Sequence, residues 1–340
     1  MAQGRKVLYF IGAGTPRGAG AAARVQAGGQ VPIPTQDEFW DVFLRFCRST
    51  KARRQIESFL FRYFLGYRRV PARSDPRARR RQLAPIDVEE VFTFLSERTR
   101  APSSSPQLRT YAARVWDFLL QEVGNVFSHF EANARTRQVI QALYRKHVRS
   151  FDVIVSFNYD TIFESSLARK VKWAYSGIEP ATDKLRILKP HGSINWTLHD
   201  GQIQRSEAPA RSVVVAPTHL KFIELAAGDG RAAGYLDQAT DIRAIWEEME
   251  AEMKATKLLV FIGYSFPVAD LYFSSVLRSV LADRDGAPDV VLVNPDAVAL
   301  ASRLQKRFPL PRVVKYFDLQ QFVEAGRRGV QRAVDAAEGA

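Results

Sequence analysis

Near its start the chain reads Val7-Leu8-Tyr9-Phe10-Ile11-Gly12-Ala13-Gly14, and this stretch gives the strongest indication of its architecture. The first five residues are all apolar, which is typical of a strand buried on both faces of a sheet. The glycines that follow allow a tight turn in which the backbone can approach a bound phosphate closely. The stretch therefore predicts the first strand of a parallel sheet, followed directly by a ligand-binding turn.

From about residue 151 onward, short apolar runs alternate with amphipathic helical stretches. The apolar runs lie at 153–155, 185–188, 213–215, 258–262, 290–293 and 313–314. The helical stretches lie near 241–255, 269–282, 298–307 and 319–335. Alternation of this kind predicts βαβ crossovers. With the first strand added, the sequence predicts an α/β fold with a doubly wound, mostly parallel Rossmann-like sheet.

The residues between the first strand and this alternating part show helical periodicity almost throughout. Thr35 and Glu38 have the spacing of a capping box, which predicts that a helix starts there. We therefore expect a large helical insertion after the first strand. The predicted organisation is a Rossmann-like domain formed by residues 1–35 and 150–335, with residues 36–149 as the helical insertion or subdomain.

Composition narrows the class of protein. Of the 340 residues 46% are hydrophobic, which is enough for one large core or two smaller ones. No apolar run approaches the roughly 20 residues that a membrane-spanning helix needs. Cys47 is the single cysteine, so an internal disulfide and a cysteine-based structural zinc site are excluded. We expect a cytoplasmic protein that does not bind membranes.

The chain is strongly basic, with 49 Lys and Arg against 36 Asp and Glu and a formal net charge of +13. Part of the excess is concentrated in seven arginines between Arg68 and Arg81. Two interpretations remain open for this arginine loop. It is a solvated basic loop, or it contacts nucleic acid or another acidic partner.

Open parallel sheets bind ligands beyond the carboxyl ends of their strands, so the residues that follow each predicted strand are the candidate site residues. In chain order they are Gly12, Ala13, Gly14 and Thr15, then Asn158 and Asp160, then His191, then Gly263 and Ser265, and finally Asn294 and Asp296. Asp160 also has the position of a helix cap, and a lone histidine is often structural. The glycine spacing departs from the GxGxxG fingerprint, which argues against a hydride-transfer enzyme.

Taken in order, these motifs resemble those of the sirtuin family. The matching segments are Gly12-Ala13-Gly14, Phe157-Asn158-Tyr159-Asp160, His191-Gly192, Gly263-Tyr264-Ser265 and Asn294-Pro295-Asp296. The phrases FNYD, KPHGSINW and GYSFPVAD are most similar to bacterial sirtuin-like domains of antiphage defence. The helical insertion is not covered by the sirtuin pattern.

The departures from that pattern bear on activity. Deacylating sirtuins carry a zinc module built from two pairs of cysteines, which one cysteine cannot form. Phe157 stands where sirtuins have Gln, and the sirtuin loop after the first turn is replaced by Thr15-Pro16-Arg17 and an Ala/Gly-rich run. The resemblance therefore implies a zinc-free enzyme that consumes NAD rather than a lysine deacylase.

The resemblance also implies roles for the candidate residues, with NAD as the substrate and no metal. The turn from Gly12 to Thr15 would hold the diphosphate, Gly263 and Ser265 would close the site, and Asn294 and Asp296 would hold the adenosine ribose. Asp160 would contact the nicotinamide carboxamide. Asn158 would orient a water molecule or the ribose, while His191 accepts a proton as the general base.

The function expected from the sequence is an NAD+ glycohydrolase that acts as an effector of bacterial antiphage defence by depleting NAD. For such an enzyme we expect a homo-oligomer, joined to a separately encoded ATPase or nuclease-like partner. Three alternatives remain at this point. They are an NAD-dependent deacylase or ADP-ribosyltransferase, a non-catalytic sensor of NAD or ADP-ribose, and a nucleic-acid-binding subunit whose binding would weaken steeply with salt.

Overall fold

The computed structural model describes residues 5–24, 29–68, 75–207, 212–215, 233–267, 270–284, 286–310 and 312–337. In chain order the strands are β1 (Val7–Ile11), β2 (Ala22–Arg24), β3 (Gln30–Pro32), β4 (Val153–Ser156), β5 (Trp173–Tyr175), β6 (Leu185–Leu188), β7 (Gly192–Ser193), β8 (Trp196–His199), β9 (Gln202–Arg205), β10 (Val213–Val214), β11 (Leu258–Ile262), β12 (Asp289–Val293) and β13 (Val313–Tyr316). The helices are α1 (Gly14–Gly18), α2 (Phe39–Phe46), α3 (Thr50–Tyr63), α4 (Pro76–Leu83), α5 (Val88–Arg100), α6 (Pro106–Phe127), α7 (Ala134–His147), α8 (Ile162–Ser166), α9 (Ala233–Ala255), α10 (Leu271–Ala282), α11 (Ala297–Arg307) and α12 (Leu319–Ala336).

Seven strands form one parallel sheet in the order β13-β12-β11-β1-β4-β6-β5. All five residues of β1, β11 and β12 are buried, which explains why these strands read as continuous apolar runs. The predicted α/β fold with a doubly wound parallel sheet is confirmed.

One strand of this sheet differs from the prediction. The run 213–215 was expected in the parallel sheet, but β10 pairs antiparallel with β7 in a separate two-stranded sheet. The seventh strand is β5, which pairs with β6 at the edge. β5 is three residues long and two of them are aromatic, so it lacks the β-branched run that identifies the other strands. β10, with two residues, is too short to cross the sheet.

The topology places a crevice beside the central strand. The chain leaves β1 toward β4 on one side, whereas β11, the other neighbour of β1, leads to β12 on the opposite side. The segments that follow β1 and β11 therefore lead to opposite sides of the sheet, and open parallel sheets bind their ligands at such a switch point. This is the end of the sheet at which the candidate site residues lie.

The buried hydrophobic residues form two clusters. One surrounds the sheet, and the other is built mainly by α2, α3, α5 and α6. Ile140 and Leu143 of α7 belong to the sheet cluster, while Ala23 and Ile33 belong to the helical cluster. The division into domains at residues 35 and 149 stays a prediction, and the clusters indicate an exchange of residues across both boundaries.

The predicted capping box of Thr35 and Glu38 is wrong. Residues 36–38 form a turn of 3-10 helix, α2 begins at Phe39, and no side-chain cap bond is made at its start. The Glu38 carboxylate instead pairs with Arg17, whose Nη2 donates to Oε1 over 3.0 Å. Arg17 donates to both oxygens of this carboxylate, whereas a capping box would engage one of them with a single backbone N–H, so the two-point ion pair replaces the cap.

Two sequence expectations concern the surface. Residues 69–74 of the arginine loop lie outside the described residues, whereas its second half forms α4 (Pro76–Leu83). Its contact with an acidic partner stays a prediction. Among the residues that the structure does describe, no helix is both long and apolar enough to cross a membrane.

Candidate active site

A cavity of about 800 Å³ lies at the carboxyl ends of β1, β4, β6, β11 and β12. Its volume is within the range of roughly 300–1,000 Å³ that small-molecule sites have. Ten of the predicted site residues line this pocket: Gly12, Ala13, Gly14, Asn158, Asp160, His191, Gly263, Ser265, Asn294 and Asp296. The structure therefore brings together residues that are spread over most of the chain.

Thr15 is the one candidate that does not line the pocket. Its side chain is 1% exposed, and its hydroxyl donates to the carbonyl of Ile262 at the end of β11 over 2.6 Å. Thr15 therefore ties the turn after β1 to the neighbouring strand. The side chain of Thr15 therefore stabilises the loops around the site.

The glycines of the two central loops allow the loops to touch. The N–H of Gly14 donates to the carbonyl of Gly263 over 2.9 Å, and that of Gly12 donates to Ile262 over 3.0 Å. A Cβ at Gly263 would lie 2.2 Å from the nitrogen of Thr15, and the residue has a φ of +62°. The amides of Gly12 and Gly14 thus hold the loops together, which differs from the expectation that these amides face a diphosphate.

Two arginines line the same part of the pocket and supply positive charge there. They are Arg17 on α1 and Arg135 at the start of α7. Arg17 is fixed by the ion pair with Glu38 and by a 2.9 Å bond to the carbonyl of Ile33. Arg17 follows the glycine turn directly in the chain, whereas Arg135 comes from a distant helix that only the fold brings to this loop.

Asn158 follows β4 and is 9% exposed. Its Nδ2 donates to the carbonyl of Gly12 over 3.2 Å, which links the loops after β1 and β4. This bond orients the amide group, with Oδ1 as its acceptor atom. Asn158 is thereby held against the loop after β1, with Oδ1 as its hydrogen-bond acceptor.

His191 follows β6 and is also 9% exposed. Its Nδ1 lies 3.2 Å from the carbonyl oxygen of Phe157. Because a carbonyl only accepts, this contact requires the proton of a neutral ring to be on Nδ1, and Nε2 then carries the lone pair. The rings of Phe157 and Trp246 lie 5.0 and 5.9 Å away, so the imidazole is enclosed by aromatic groups.

A buried carboxylate lies beside His191 and was not identified from the sequence. Asp270 is 2% exposed, and its Oδ2 lies 3.9 Å from Nε2 of His191. The hydroxyl of Tyr264 donates to the same oxygen over 2.6 Å. Asp270 also accepts from the N–H of Phe273 as the N-cap of α10. The sequence placed Asp270 within a predicted helical stretch, and its place as the N-cap follows from the observed start of α10 at Leu271.

Asp160 is buried next to an ion pair. Its Oδ1 accepts from the N–H of Ile162 over 2.9 Å, so the capping role considered from the sequence is present. Burial raises the pKa of Asp160 to about 6, although the nearby charge of Lys189 opposes this rise. Lys189 is fully buried and donates to the backbone carbonyl of Asp160 and, over 3.1 Å, to Glu164. This pair fixes the start of α8 and with it the backbone of Asp160.

The helical segment forms one wall of the pocket. The lining residues that it contributes include Val88, Glu89 and Phe92 from α5 and Val123 and Phe127 from α6. The Glu89 carboxylate is close enough to Tyr159 and Tyr264 to raise the pKa of both phenols, in addition to the larger effect of burial. No feature of the sequence linked α5 to the strand ends.

The far end of the pocket contains Asn294 and Asp296. Asn294 accepts from the N–H of Asp296 over 3.0 Å, so the two residues form a closed turn before α11. Asp296 is exposed, as is Ser265, whose carbonyl accepts from Arg303.

Within the described ranges, no group of three or more His, Cys, Asp or Glu side chains is arranged to hold a metal ion.

Comparison with known proteins finds one family model that matches part of the chain. Residues 152–310 match the family model of the SIR2-like domain. The resemblance to the sirtuin family is thereby confirmed over these residues, which include all the candidate site residues except the turn after β1. No curated protein is significantly similar to the chain in sequence.

Solved structures show more distant similarity. A Sir2 homologue in complex with NAD is 14% identical, with 98% of this chain and 91% of that chain covered and a TM-score of 0.42. A mutant Sir2 homologue in complex with ADP-ribose is 13% identical, with coverage of 98% and 94% and a TM-score of 0.39. The identities and TM-scores are low, and nothing about function follows from them.

Proposed function

Because the chain carries a SIR2-like domain over residues 152–310, we propose that it is an NAD+ glycohydrolase that cleaves the bond between nicotinamide and ribose. One observation carries the proposal. Asn158 and His191 follow neighbouring strands and face one pocket, and the contact of Nδ1 with Phe157 leaves the lone pair of His191 on Nε2. Activation of a water molecule needs a group that orients it and a base that takes its proton, and an acceptor amide and a histidine in one pocket can supply both.

The chemistry is a substitution at C1′ of the nicotinamide ribose. The bond from C1′ to the pyridinium nitrogen breaks, its electron pair stays on nitrogen, and nicotinamide leaves as a neutral molecule. A water oxygen forms the new bond to C1′, and its proton passes to Nε2 of His191 and then to solvent. Oδ1 of Asn158 orients that water or a ribose hydroxyl. The leaving group is cationic before cleavage, so its departure requires no proton.

The charges around the pocket fit NAD placed in this direction. The cationic nicotinamide would lie among Asp160, Glu89 and Asp270, which are on the side of Asn158 and His191. The diphosphate would lie near Arg17 and Arg135. The remaining candidates, Asn294 and Asp296, would bind the adenosine ribose. Gly263 and Ser265 would then border the diphosphate, and Gly12 to Gly14 would form the floor between the two halves.

The test is hydrolysis of NAD in water enriched in oxygen-18, with the products separated by mass. A glycohydrolase releases nicotinamide and incorporates one labelled oxygen at C1′ of ADP-ribose. Formation of cyclic ADP-ribose, or transfer of ADP-ribose to protein, would leave that label out and would contradict the proposal. Asn158→Ala and His191→Ala variants are expected to fold and to lose turnover, and unchanged turnover in both would exclude the assigned roles.

We further propose that the enzyme acts in antiphage defence as a homo-oligomer held inactive until triggered, together with a separately encoded partner. The support is the resemblance of FNYD, KPHGSINW and GYSFPVAD to defence domains and the absence of a zinc-binding cysteine set from the sequence. Infected cells that express the native chain, with its neighbouring genes, should lose NAD before lysis. Cells that express His191→Ala should keep their NAD and release phage. Equal NAD in both would contradict this role.

A further inference from the structure

We propose that Asp270 is the positioning residue that sets the basicity of His191 and stabilises the charged ring once it has accepted a proton. The proposal rests on the proposed function for its role in turnover, but the electrostatic coupling can be tested without substrate. The observation behind it is a buried carboxylate whose Oδ2 lies 3.9 Å from the ring nitrogen that must act as the base.

At 3.9 Å, Nε2 of His191 and Oδ2 of Asp270 are outside hydrogen-bonding distance. Nδ1 of His191 donates to the carbonyl of Phe157, so Nε2 faces Asp270 with a lone pair. Two acceptors do not form a hydrogen bond, and they stay beyond bonding distance. After Nε2 takes a proton, a small rotation of the ring brings an N–H onto the carboxylate, and the pair becomes a charge-assisted bond.

Tyr264 holds the carboxylate ready for this step. Its hydroxyl donates over 2.6 Å to the same Oδ2 that faces His191. A hydrogen bond to the ionised form favours the carboxylate over the carboxylic acid. The Tyr264 ring stacks at 4.7 Å on Phe157, the residue whose carbonyl fixes the other side of the imidazole. Phe157 and Tyr264 therefore position both members of the His191–Asp270 dyad.

Other titratable groups around the pocket are arranged differently. They include Glu89 from α5, Tyr159 and Asp160 from the loop after β4, and Tyr264 itself. Asp160 accepts from the N–H of Ile162 and lies beside the charge of Lys189. Asp270 has its Oδ2 3.9 Å from Nε2 of His191, so its charge acts on that nitrogen at short range.

The capping role of Asp270 provides the means to separate charge from structure. Asn and Ser are both good N-caps, so Asp270→Asn and Asp270→Ser keep an acceptor for Phe273 and remove the negative charge. A matched control is Asp87→Asn, since Asp87 caps α5 through a 2.8 Å bond to the N–H of Glu89 and does not line the pocket.

The experiment is an NMR titration of the His191 ring without NAD, with its signal identified by its loss in His191→Ala. A carboxylate within 4–6 Å raises the pKa of a cation by roughly 1–3 units, so both Asp270 variants are expected to lower the pKa of His191 by about one unit or more. Asp87→Asn should leave it unchanged. An unchanged pKa of His191 in both Asp270 variants, with only a lower melting temperature, would overturn the proposal and leave Asp270 as a cap.

The pH profile of turnover then tests the catalytic consequence. A base of lower pKa stays deprotonated in more acidic solution, so the acid limb of kcat/KM should move to lower pH by the same amount in Asp270→Asn. The plateau should fall because the base is weaker. If the pKa of His191 shifts in the NMR titration while neither the native protein nor its variants release nicotinamide, the His191–Asp270 dyad is supported and the proposed function fails. If turnover is present and the acid limb stays in place, the dyad is contradicted.

Discussion

Replacing Gly263 by alanine should damage the site through two separable effects. The φ of +62° costs an L-residue roughly 1–2 kcal/mol. The new Cβ would also lie 2.2 Å from the backbone nitrogen of Thr15 and 2.4 Å from the carbonyl carbon of Gly14, so the two loops must separate. Overpacking of this kind costs roughly a further 1–3 kcal/mol. We expect Gly263→Ala to lower the free energy of unfolding by about 2–5 kcal/mol.

Gly66 provides the matched control, because it also has a positive φ, of +74°, and no atom within 4 Å of its added Cβ. Gly66→Ala should cost only the conformational part, about 1–2 kcal/mol. Urea unfolding followed by tryptophan fluorescence measures both free energies. Affinity for NAD should fall in Gly263→Ala alone, since only this change separates the loops after β1 and β11. Equal destabilisation by the two substitutions would refute the close contact of the loops.

Three further predictions follow from the charged groups of the pocket. Asp160→Asn should be more stable than the native protein by on the order of 3 kcal/mol at pH 7 and by almost nothing at pH 4. The reason is that the raised pKa of Asp160, about 6, makes the stability of the native protein fall as the pH rises from about 4 to 6. Urea unfolding at both pH values checks this, and an equal difference at the two would contradict it. Lys189→Met should cost about 3–5 kcal/mol by leaving Glu164 buried without its cation, and Glu164→Leu added to it should recover most of that loss in the same unfolding assay; simple additivity of the two changes would count against a coupled pair. Glu89→Gln should reduce the preference for NAD over NADH by about tenfold, equivalent to ~1.4 kcal/mol, because it removes a negative charge from beside the cationic nicotinamide. Calorimetry in the His191→Ala background measures the two affinities. Glu90→Gln, on the exposed side of α5, should leave the preference unchanged.

The sheet could be predicted because its signals are local. β1, β11 and β12 are buried on both faces and therefore read as unbroken apolar runs. The ends of parallel strands meet at one edge, so the polar residues that follow them were correctly expected to converge. β5 was missed and β10 was placed in the wrong sheet, because strands of two or three residues carry too little periodicity and tertiary pairing decides their place.

The parts of the site that could not be predicted depend on contacts between distant segments. Asp270 was not singled out from the sequence, and only the fold places it beside His191. Glu89 and Arg135 come from helices of the inserted segment, which no strand-end rule connects to the pocket. Glu38 was assigned to a cap because of its spacing from Thr35, but the fold offers it Arg17 as a stronger partner.

The central claim is that His191 acts as the base in the cleavage of NAD, and nicotinamide release is its most direct measure. Purified native protein, His191→Ala and His199→Ala should be incubated with NAD, since His199 is an exposed histidine on the β8–β9 hairpin and serves as the control. We predict release of nicotinamide and ADP-ribose by the native protein and by His199→Ala, and none by His191→Ala. Equal release by His191→Ala would contradict the claim.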